Sequence, residues 1–318
     1  MAVTREDVVS AYRLILGREP ESEFVIEQAM LANDIGHLRA AFMGSPEFVT
    51  KYERSAGRPL AVGRLFEVDH INVDIQCNKE QLQEMFDRIA KAWRSFGETE
   101  PHWSVLVSDD YRQENLSANI DRFYASGHGD IKVHLNFLRR AGLPVSFKRA
   151  LDFGCGVGRL TLALAPHAQH VLGIDISPPH LRLAAERAGE QSISNVEFEV
   201  INSVNELGSH RDFDFIISRI VLQHNPPPVM AALYRSLLQA LAPGGVAVVQ
   251  IPTFLSGQSF STDRYLAMEQ PSMEMNAIPQ KLIFEIIEQM GCRPLEVRED
   301  GAAGDIGLSH TFAVQRVS

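Results

Sequence analysis

At 318 residues the chain is longer than one average domain and suits two folding units. Hydrophobic residues make up 45% and charged residues 22%, an ordinary globular composition that excludes bulk disorder. The formal net charge of -10 argues against a surface built to neutralise nucleic-acid phosphates, so no nucleic-acid partner is expected.

The three cysteines, Cys77, Cys155 and Cys292, lie far apart and match neither a disulfide framework nor paired metal-ligand spacing. With 11 histidines and no paired carboxylate and histidine spacing, no metal site is expected. Met1 to Ser10 is polar and acidic rather than signal-like, and no stretch approaches the roughly 20 apolar residues that span a bilayer. The expectation is a cytoplasmic protein without an integral membrane segment.

From Glu6 to about Arg54 the pattern is helical: Val8, Tyr12, Ile15 and Leu16 share one face, and Ile35, Leu38 and Phe42 another. Ser45-Pro46-Glu47-Phe48 has the Ser cap and first-turn Pro of a helix start. Residues 1–55 are therefore read as a small helical bundle. Gly57, Pro59 and Gly63 mark a linker that leads into a helical cap region, together spanning 56–115. In that region Asn78 caps a long amphipathic helix with Leu82, Met85, Phe86, Ile89, Trp93 and Phe96 on one side, ended by Gly97. Two further helices are expected, one stopping near Gly127 and the other near Gly142. From Lys148 onward short apolar strands alternate with helices, the pattern of a mostly parallel sheet covered on both faces. Seven strands are predicted, at about 149–153, 170–174, 196–200, 213–218, 245–251, 293–299 and 310–317, within a domain spanning 116–318. The fold class is α/β with a smaller all-helical N-terminal domain.

The most informative stretch is Ala150-Leu151-Asp152-Phe153-Gly154-Cys155-Gly156-Val157-Gly158-Arg159-Leu160-Thr161, an apolar strand that runs into a glycine-rich turn and then a helix. Glycines there let a ligand press against the main chain. About 20 residues on, Asp175 ends the second strand, where a carboxylate can accept hydrogen bonds from both ribose hydroxyls of an adenosine. The usual dinucleotide spacing would place a third glycine at 159, which is Arg159, and Gly158 sits one residue early. This disfavours an NAD-linked oxidoreductase.

The spacing resembles the first motif of class I S-adenosylmethionine-dependent methyltransferases, which have a Rossmann-like fold. Phe213 to His224, Leu241-Ala242-Pro243-Gly244-Gly245 and the tail from Ala277 to Val314 agree with that family in order, so the resemblance spans about 120–318. It implies S-adenosyl-L-methionine as cofactor. It places Asp152 behind the glycine loop and near the methionyl amine, lets Gly154, Gly156 and Gly158 meet the cofactor with Cys155 between them, puts Asp175 on the ribose and packs Ile176 against adenine. Asn202-Ser203 stands where the family commonly ends its third strand with Asp near the adenine amino group; Asn202 keeps an amide but lacks the charge. Ser218, at the end of the fourth strand, and Tyr124 and Gly127, in Phe123-Tyr124-Ala125-Ser126-Gly127, complete the implied contacts.

Separately, Tyr12 to Pro20 with Gly44-Ser45-Pro46-Glu47-Phe48 resembles a small bacterial helical domain of uncharacterised function often attached to glycosyltransferases and secreted repeat proteins. It hints at a glycan setting and offers a surface for a protein partner.

A sulfonium methyl is already electrophilic, so the protein chiefly has to align a nucleophile and exclude water. For a hydroxyl acceptor a base helps, and His224, after the fourth strand, is the leading candidate, with His310 the weaker one. Residues 255–276 are long enough for a substrate lid in which Tyr265, Met268, Met273 and Met275 could line an acceptor pocket or simply fill a core. The expected function is methyl transfer to a small-molecule or glycan acceptor, with O-methylation of a sugar hydroxyl leading. The alternative is a non-catalytic cofactor-binding scaffold that uses the helical N-terminus.

Overall fold

The computed structural model describes residues 3–45, 47–48, 71–268 and 273–317. Residues 49–55 of the expected helical bundle, residues 56–70 of the expected linker, Pro46 of the Ser45–Phe48 turn, and residues 269–272 of the expected lid lie outside the described residues. The chain divides into two compact units, 1–68 and 69–318.

In the first unit, Thr4 and Asp7 form a reciprocal capping box at the start of helix α1 (Arg5–Ala11). A π-helical turn over Tyr12–Leu16 follows and ends at Gly17. Helices α2 (Glu23–Ala29) and α3 (Ile35–Met43) complete a core of Val8, Leu16, Ile26, Leu38 and Phe42. The Tyr12 ring meets Phe42 edge-on at 4.8 Å. Arg18 donates to both carboxylate oxygens of Glu47 at 2.6 Å.

The second unit opens with the two-residue strand β1 (Asn72–Val73), helix α4 (Lys79–Thr99) capped by Asn78 and Gln81, and α5 (Pro101–Val105). Helix α6 (Leu116–Arg140) comes next. The body alternates β2 (Phe147–Phe153), α7 (Arg159–Leu164), β3 (Ala168–Asp175), α8 (Pro178–Glu190), β4 (Val196–Val200), α9 (Val204–Leu207), β5 (Phe213–Ser218), α10 (Pro227–Gln239) and β6 (Leu241–Leu255). It closes with β7 (Ser259–Phe260), α11 (Thr262–Ala267), α12 (Gln280–Gln289), β8 (Cys292–Glu299) and β9 (Gly307–Arg316).

Seven strands form one sheet in the order β4-β3-β2-β5-β6-β9-β8. The pairs from β4 through β6 are parallel, and β9 runs antiparallel to both its neighbours. Both faces of the central strands are covered, which is why 215–217 and 246–249 read as apolar runs. Along β2 and β5, Ala150, Phe215 and Ile217 face Ile131, Leu135 and Leu160 on α6 and α7, while Leu151 and Ile216 face the opposite core with Tyr234, Leu237 and Phe312. This is the expected α/β architecture, a mostly parallel sheet covered by helices on both faces.

Two differences from the sequence reading stand out. Residues 116–140 form one helix that passes through Gly127 rather than stopping there. An added Cβ at Gly127 would lie 2.2 Å from the Arg159 carbonyl oxygen, so the glycine permits α6 to pack on α7. That packing outweighs a helix penalty of about 1 kcal/mol. Strand β6 also runs beyond 245–251, because its ladder to β9 continues out to Leu255 opposite Gly307.

The order of connection reverses at β2: β3 and β4 are added on one side of it and β5 on the other. Loops leaving the carboxyl ends of two strands on either side of such a reversal diverge and leave a crevice between them. The glycine turn leaves β2, and residues 219–225 leave β5, so the topology alone places the candidate site there.

Candidate functional site

A cleft occupies this crevice. Its floor is the glycine turn. Gly154 and Gly156 line it with φ of 71° and 52°, in the left-handed region that favours glycine. A Cβ on Gly154 would stand 2.3 Å from the Val221 side chain, and one on Gly156 would stand 2.6 Å from Val105. No side chain fits at either position without displacing the wall opposite.

Asp175 and Ile176 form the next wall. The Asp175 carboxylate is fixed from both sides: Gly156 N–H donates to Oδ2 at 2.8 Å, and Ser177 N–H donates to Oδ1 at 2.9 Å. Each oxygen keeps a further acceptor site. The acid at the end of β3 is thus tied to the glycine turn at the end of β2. Phe86, Ile89 and Trp93 from α4, with Leu233, give the cleft an apolar face beside Ile176.

At its other end stand Arg219, Ile220 and Val221, just after β5. Arg219 is ion-paired with Asp130, which also holds the buried Arg159 at 2.7 Å; Arg159 in turn donates to Ser126 Oγ at 3.0 Å. Two guanidinium groups thus share the Asp130 carboxylate.

His180 also lines the cleft. Its Nδ1 contacts Ser177 Oγ at 2.7 Å and its Nε2 contacts Ser104 Oγ at 2.9 Å, so both ring nitrogens are engaged. Burial pushes its pKa down, opposed by the Asp175 charge.

The remaining residues singled out from sequence surround the cleft without lining it. Asp152 is buried behind the turn and accepts from Thr161 Oγ1 at 2.7 Å; burial raises its carboxyl to about 6 against the Thr161 hydrogen bond. Cys155 is buried, which pushes its thiol up, and its Sγ lies 3.0 Å from where a Cβ on Gly173 would be. Gly158 faces Ala184 of α8. Ser218 Oγ donates to the Phe153 carbonyl at 3.0 Å, joining the ends of β5 and β2. Tyr124 donates to the Val157 carbonyl at 3.2 Å, and burial lifts its hydroxyl to about 12. Asn202 is exposed, with its Oδ1 3.4 Å from Arg94 Nη2, and Ser203 caps α9 by accepting from Glu206 N–H.

His224 lies one layer back, its ring 5.2 Å from the Trp93 ring. Its Nδ1 is 2.6 Å from the Glu274 carbonyl, which accepts a hydrogen bond from it, and its Nε2 is 3.3 Å from the Gln223 amide nitrogen, which donates. The ring is therefore neutral with its proton on Nδ1, and burial lowers its pKa. His310 Nδ1 contacts Thr253 Oγ1 at 2.9 Å. In the expected lid, Tyr265 donates to Glu274 Oε1 at 2.7 Å, Met268 is exposed, and Met275 packs with Leu255 and Ala277. Met273 is partly buried, and none of the four lines the cleft.

Arg219, Ile220, Val105, Ser104 and His180 did not emerge as site residues from the sequence. The one available signal was position: Arg219 and Ile220 follow directly on Ser218. Among the described residues no group of three or more metal-ligating side chains is gathered, and no helix is long and apolar enough to cross a membrane.

The glycine turn, the acid at the end of β3 and the cleft residues after β5 all fall in one segment that can be compared with known families. Residues 150–245 match a methyltransferase domain. The chain is 34% identical over 154 residues to a ubiquinone biosynthesis O-methyltransferase of Xylella fastidiosa, covering 44% of this chain and 59% of that protein. It is 32% identical over 214 residues to phosphoethanolamine N-methyltransferase 1 of Triticum aestivum, covering 64% of this chain and 41% of that protein. The chain thus spans less than two thirds of these relatives' lengths. Among solved structures, magnesium protoporphyrin IX methyltransferase from Synechocystis PCC 6803 with bound SAH superposes with a TM-score of 0.51 at 18% identity, over 72% of this chain and 98% of that one. The methyltransferase domain and the fold therefore agree from independent directions.

Proposed function

We propose that this chain is an S-adenosylmethionine-dependent methyltransferase that acts on a small-molecule or glycan acceptor, with a sugar hydroxyl as the leading acceptor. The observation that carries it is the Asp175 carboxylate, held on the Gly156 and Ser177 amides with acceptor capacity left over at the cleft. The methyltransferase match and the methyltransferase names of the relatives support the enzyme class. The sugar acceptor rests on the N-terminal resemblance to a glycan-associated domain, which is also the basis for a protein partner at residues 1–55.

The residues of the cleft fit the cofactor. Asp175 would accept from the ribose hydroxyls, while Phe86, Ile89 and Ile176 offer the apolar contact an adenine needs. Gly154 and Gly156, with no Cβ, let Val221 and Val105 close directly on the turn that would face the cofactor. Arg219 offers the methionyl carboxylate a guanidinium already oriented by Asp130. When bound, S-adenosylmethionine supplies a methyl group made electrophilic by its sulfonium.

What the chain contributes is alignment and exclusion of water. Trp93 and Val221 present apolar surface at the cleft, and the engaged nitrogens of His180 and His224 favour holding roles over proton transfer. Acting as a base, His224 would first have to give up the Gln223 contact at Nε2.

The test is calorimetric titration with S-adenosylhomocysteine, with NAD as control, followed by transfer of labelled methyl to a panel of sugar acceptors. Saturable binding weakened by about tenfold or more in Asp175→Ala is expected, on the scale of a charge-assisted hydrogen-bond loss. NAD binding, or no binding of the homocysteine product, would overturn the assignment.

A further inference from the structure

Among the described residues, three other than glycine have positive φ: Ser192, Asp212 and Ile220. Ile220 is the exception in kind. It is β-branched, and φ of 57° crowds its Cβ against the following carbonyl, a conformation that persists only where the surroundings impose it. It also lies in the wall of the cleft, between Arg219 and Val221.

What imposes the conformation is a chain of buried amides. Ile220 N–H donates to Gln250 Oε1 at 2.8 Å. The Gln250 amide nitrogen spends its two protons on Gln223 Oε1 at 3.0 Å and Ser309 Oγ at 2.6 Å. The Gln223 main chain is held in turn, because its backbone carbonyl accepts from Asn276 N–H at 2.7 Å. Gln250, Gln223 and Ser309 are each at most 3% exposed, so water does not compete for these bonds. Gln250 stands on β6, Ser309 on β9 and Gln223 in the loop itself, so the clamp fastens that loop to two strands of the sheet.

We propose that Gln250 is a positioning residue for cofactor binding, acting by holding Ile220 in its left-handed conformation. The clamp fixes the peptide unit that joins Arg219 to Ile220. With Ile220 held left-handed, Arg219 lines the cleft and Val221 sits over Gly154. Without Gln250, Ile220 relaxes to negative φ, the two flanking side chains leave the wall, and binding must first restore the strained state. Affinity falls by the fraction of molecules that still hold it. This inference rests on the proposed cofactor, and its test separates the two.

The experiment is a double-mutant cycle between Gln250→Met and Ile220→Asn, read by calorimetric binding of S-adenosylhomocysteine with melting temperatures alongside. Methionine keeps the length of glutamine without its amide, and asparagine tolerates the left-handed region with little strain. Gln250→Met is expected to weaken binding about tenfold in the native background, the scale of a strained residue set free. In the Ile220→Asn background the same change should cost about twofold or less. A merely structural glutamine would lower the melting temperature and give equal binding penalties in both backgrounds; that result, or no penalty in either, overturns the proposal.

If Gln250→Met does not fold, Ser309→Ala removes one anchor of the clamp and enters the same cycle, with a smaller penalty that again disappears alongside Ile220→Asn. Amide hydrogen exchange supplies a readout that needs no ligand. The Ile220 N–H should be protected in the wild-type protein and exchange freely in the Gln250 or Ser309 variant. An Ile220 amide that exchanges like an open loop in wild type overturns the clamp even if S-adenosylhomocysteine binds; failure of wild type to bind, with the amide protected, overturns the cofactor assignment and leaves the clamp standing.

Discussion

The Gly156→Ala substitution probes the floor of the cleft with one methyl group. Two penalties follow from the structure. At φ of 52° an alanine pays for the left-handed region, about 1–2 kcal/mol. Its Cβ would also arrive 2.6 Å from Val105 Cγ2, so Val105 must leave its rotamer or the short helix 101–105 must shift, at about 0.5–1.5 kcal/mol. The sum is about 2–3 kcal/mol. It divides between two observables: if the loop keeps its shape the whole sum appears as lost stability, and if the loop relaxes when free the sum appears as weaker binding. In the second case S-adenosylhomocysteine would bind about 30- to 150-fold more weakly. In the first the melting temperature would fall by several degrees, at roughly 2–4 °C per kcal/mol for a unit of this size.

The assay therefore pairs calorimetric titration with thermal denaturation, in the native background and in Val105→Ala. Val105→Ala should remove the contact part of the penalty and leave the backbone part. Unchanged binding together with an unchanged melting temperature would refute the placement of Gly156 against Val105. A penalty wholly abolished by Val105→Ala would refute the backbone argument.

Two further outcomes are expected. Arg219→Met should weaken S-adenosylhomocysteine by about 5- to 30-fold, on the scale of a partly exposed charge-assisted bond, and leave 5′-methylthioadenosine, which has no carboxylate, within about twofold; equal losses for both ligands would remove Arg219 from the methionyl end. The buried Asp152 carboxyl is raised to about 6 from 3.8, so the folded state favours its protonated form. Its stabilising contribution is complete below about pH 4 and is lost as pH rises through 6, which amounts to about 3 kcal/mol of penalty at pH 7. Asp152→Asn retains an acceptor for Thr161 and should raise the melting temperature at pH 7 but not at pH 4; an equal change at both pH values would show that ionisation of Asp152 does not matter to the fold.

Much of this architecture could be read before any coordinates. Phe215, Ile216 and Ile217 of β5 are buried on both faces of the sheet, and a stretch buried on both faces has to be apolar. The glycine turn and Asp175 were legible for a related reason, since backbone approach and an acid after the next strand are demands on residue type at fixed spacing. Helix 116–140 was not, because whether Gly127 ends a helix or admits a neighbour depends on the Arg159 carbonyl, which is 32 residues away in sequence and adjacent only in the fold. The same limit hid half of the cleft. The apolar stripe Phe86, Ile89 and Trp93 identified a helix face but not what that face covers.

His224 shows where residue type alone does not decide a role. A histidine after the fourth strand invites a reading as a base, since its unperturbed pKa lies near neutrality. Whether it can take a proton is decided by its two ring nitrogens, and their partners are the Gln223 side chain next to it and the Glu274 carbonyl 50 residues on. Because Nδ1 donates to a carbonyl, Nε2 is left as the acceptor, and Gln223 already donates to it. Gln223 is in turn bound to Gln250, so freeing His224 for catalysis would disturb the contacts that hold Ile220. Proton transfer by His224 and a fixed wall beside Arg219 therefore compete for the same amide, and the buried, fully engaged network favours the wall.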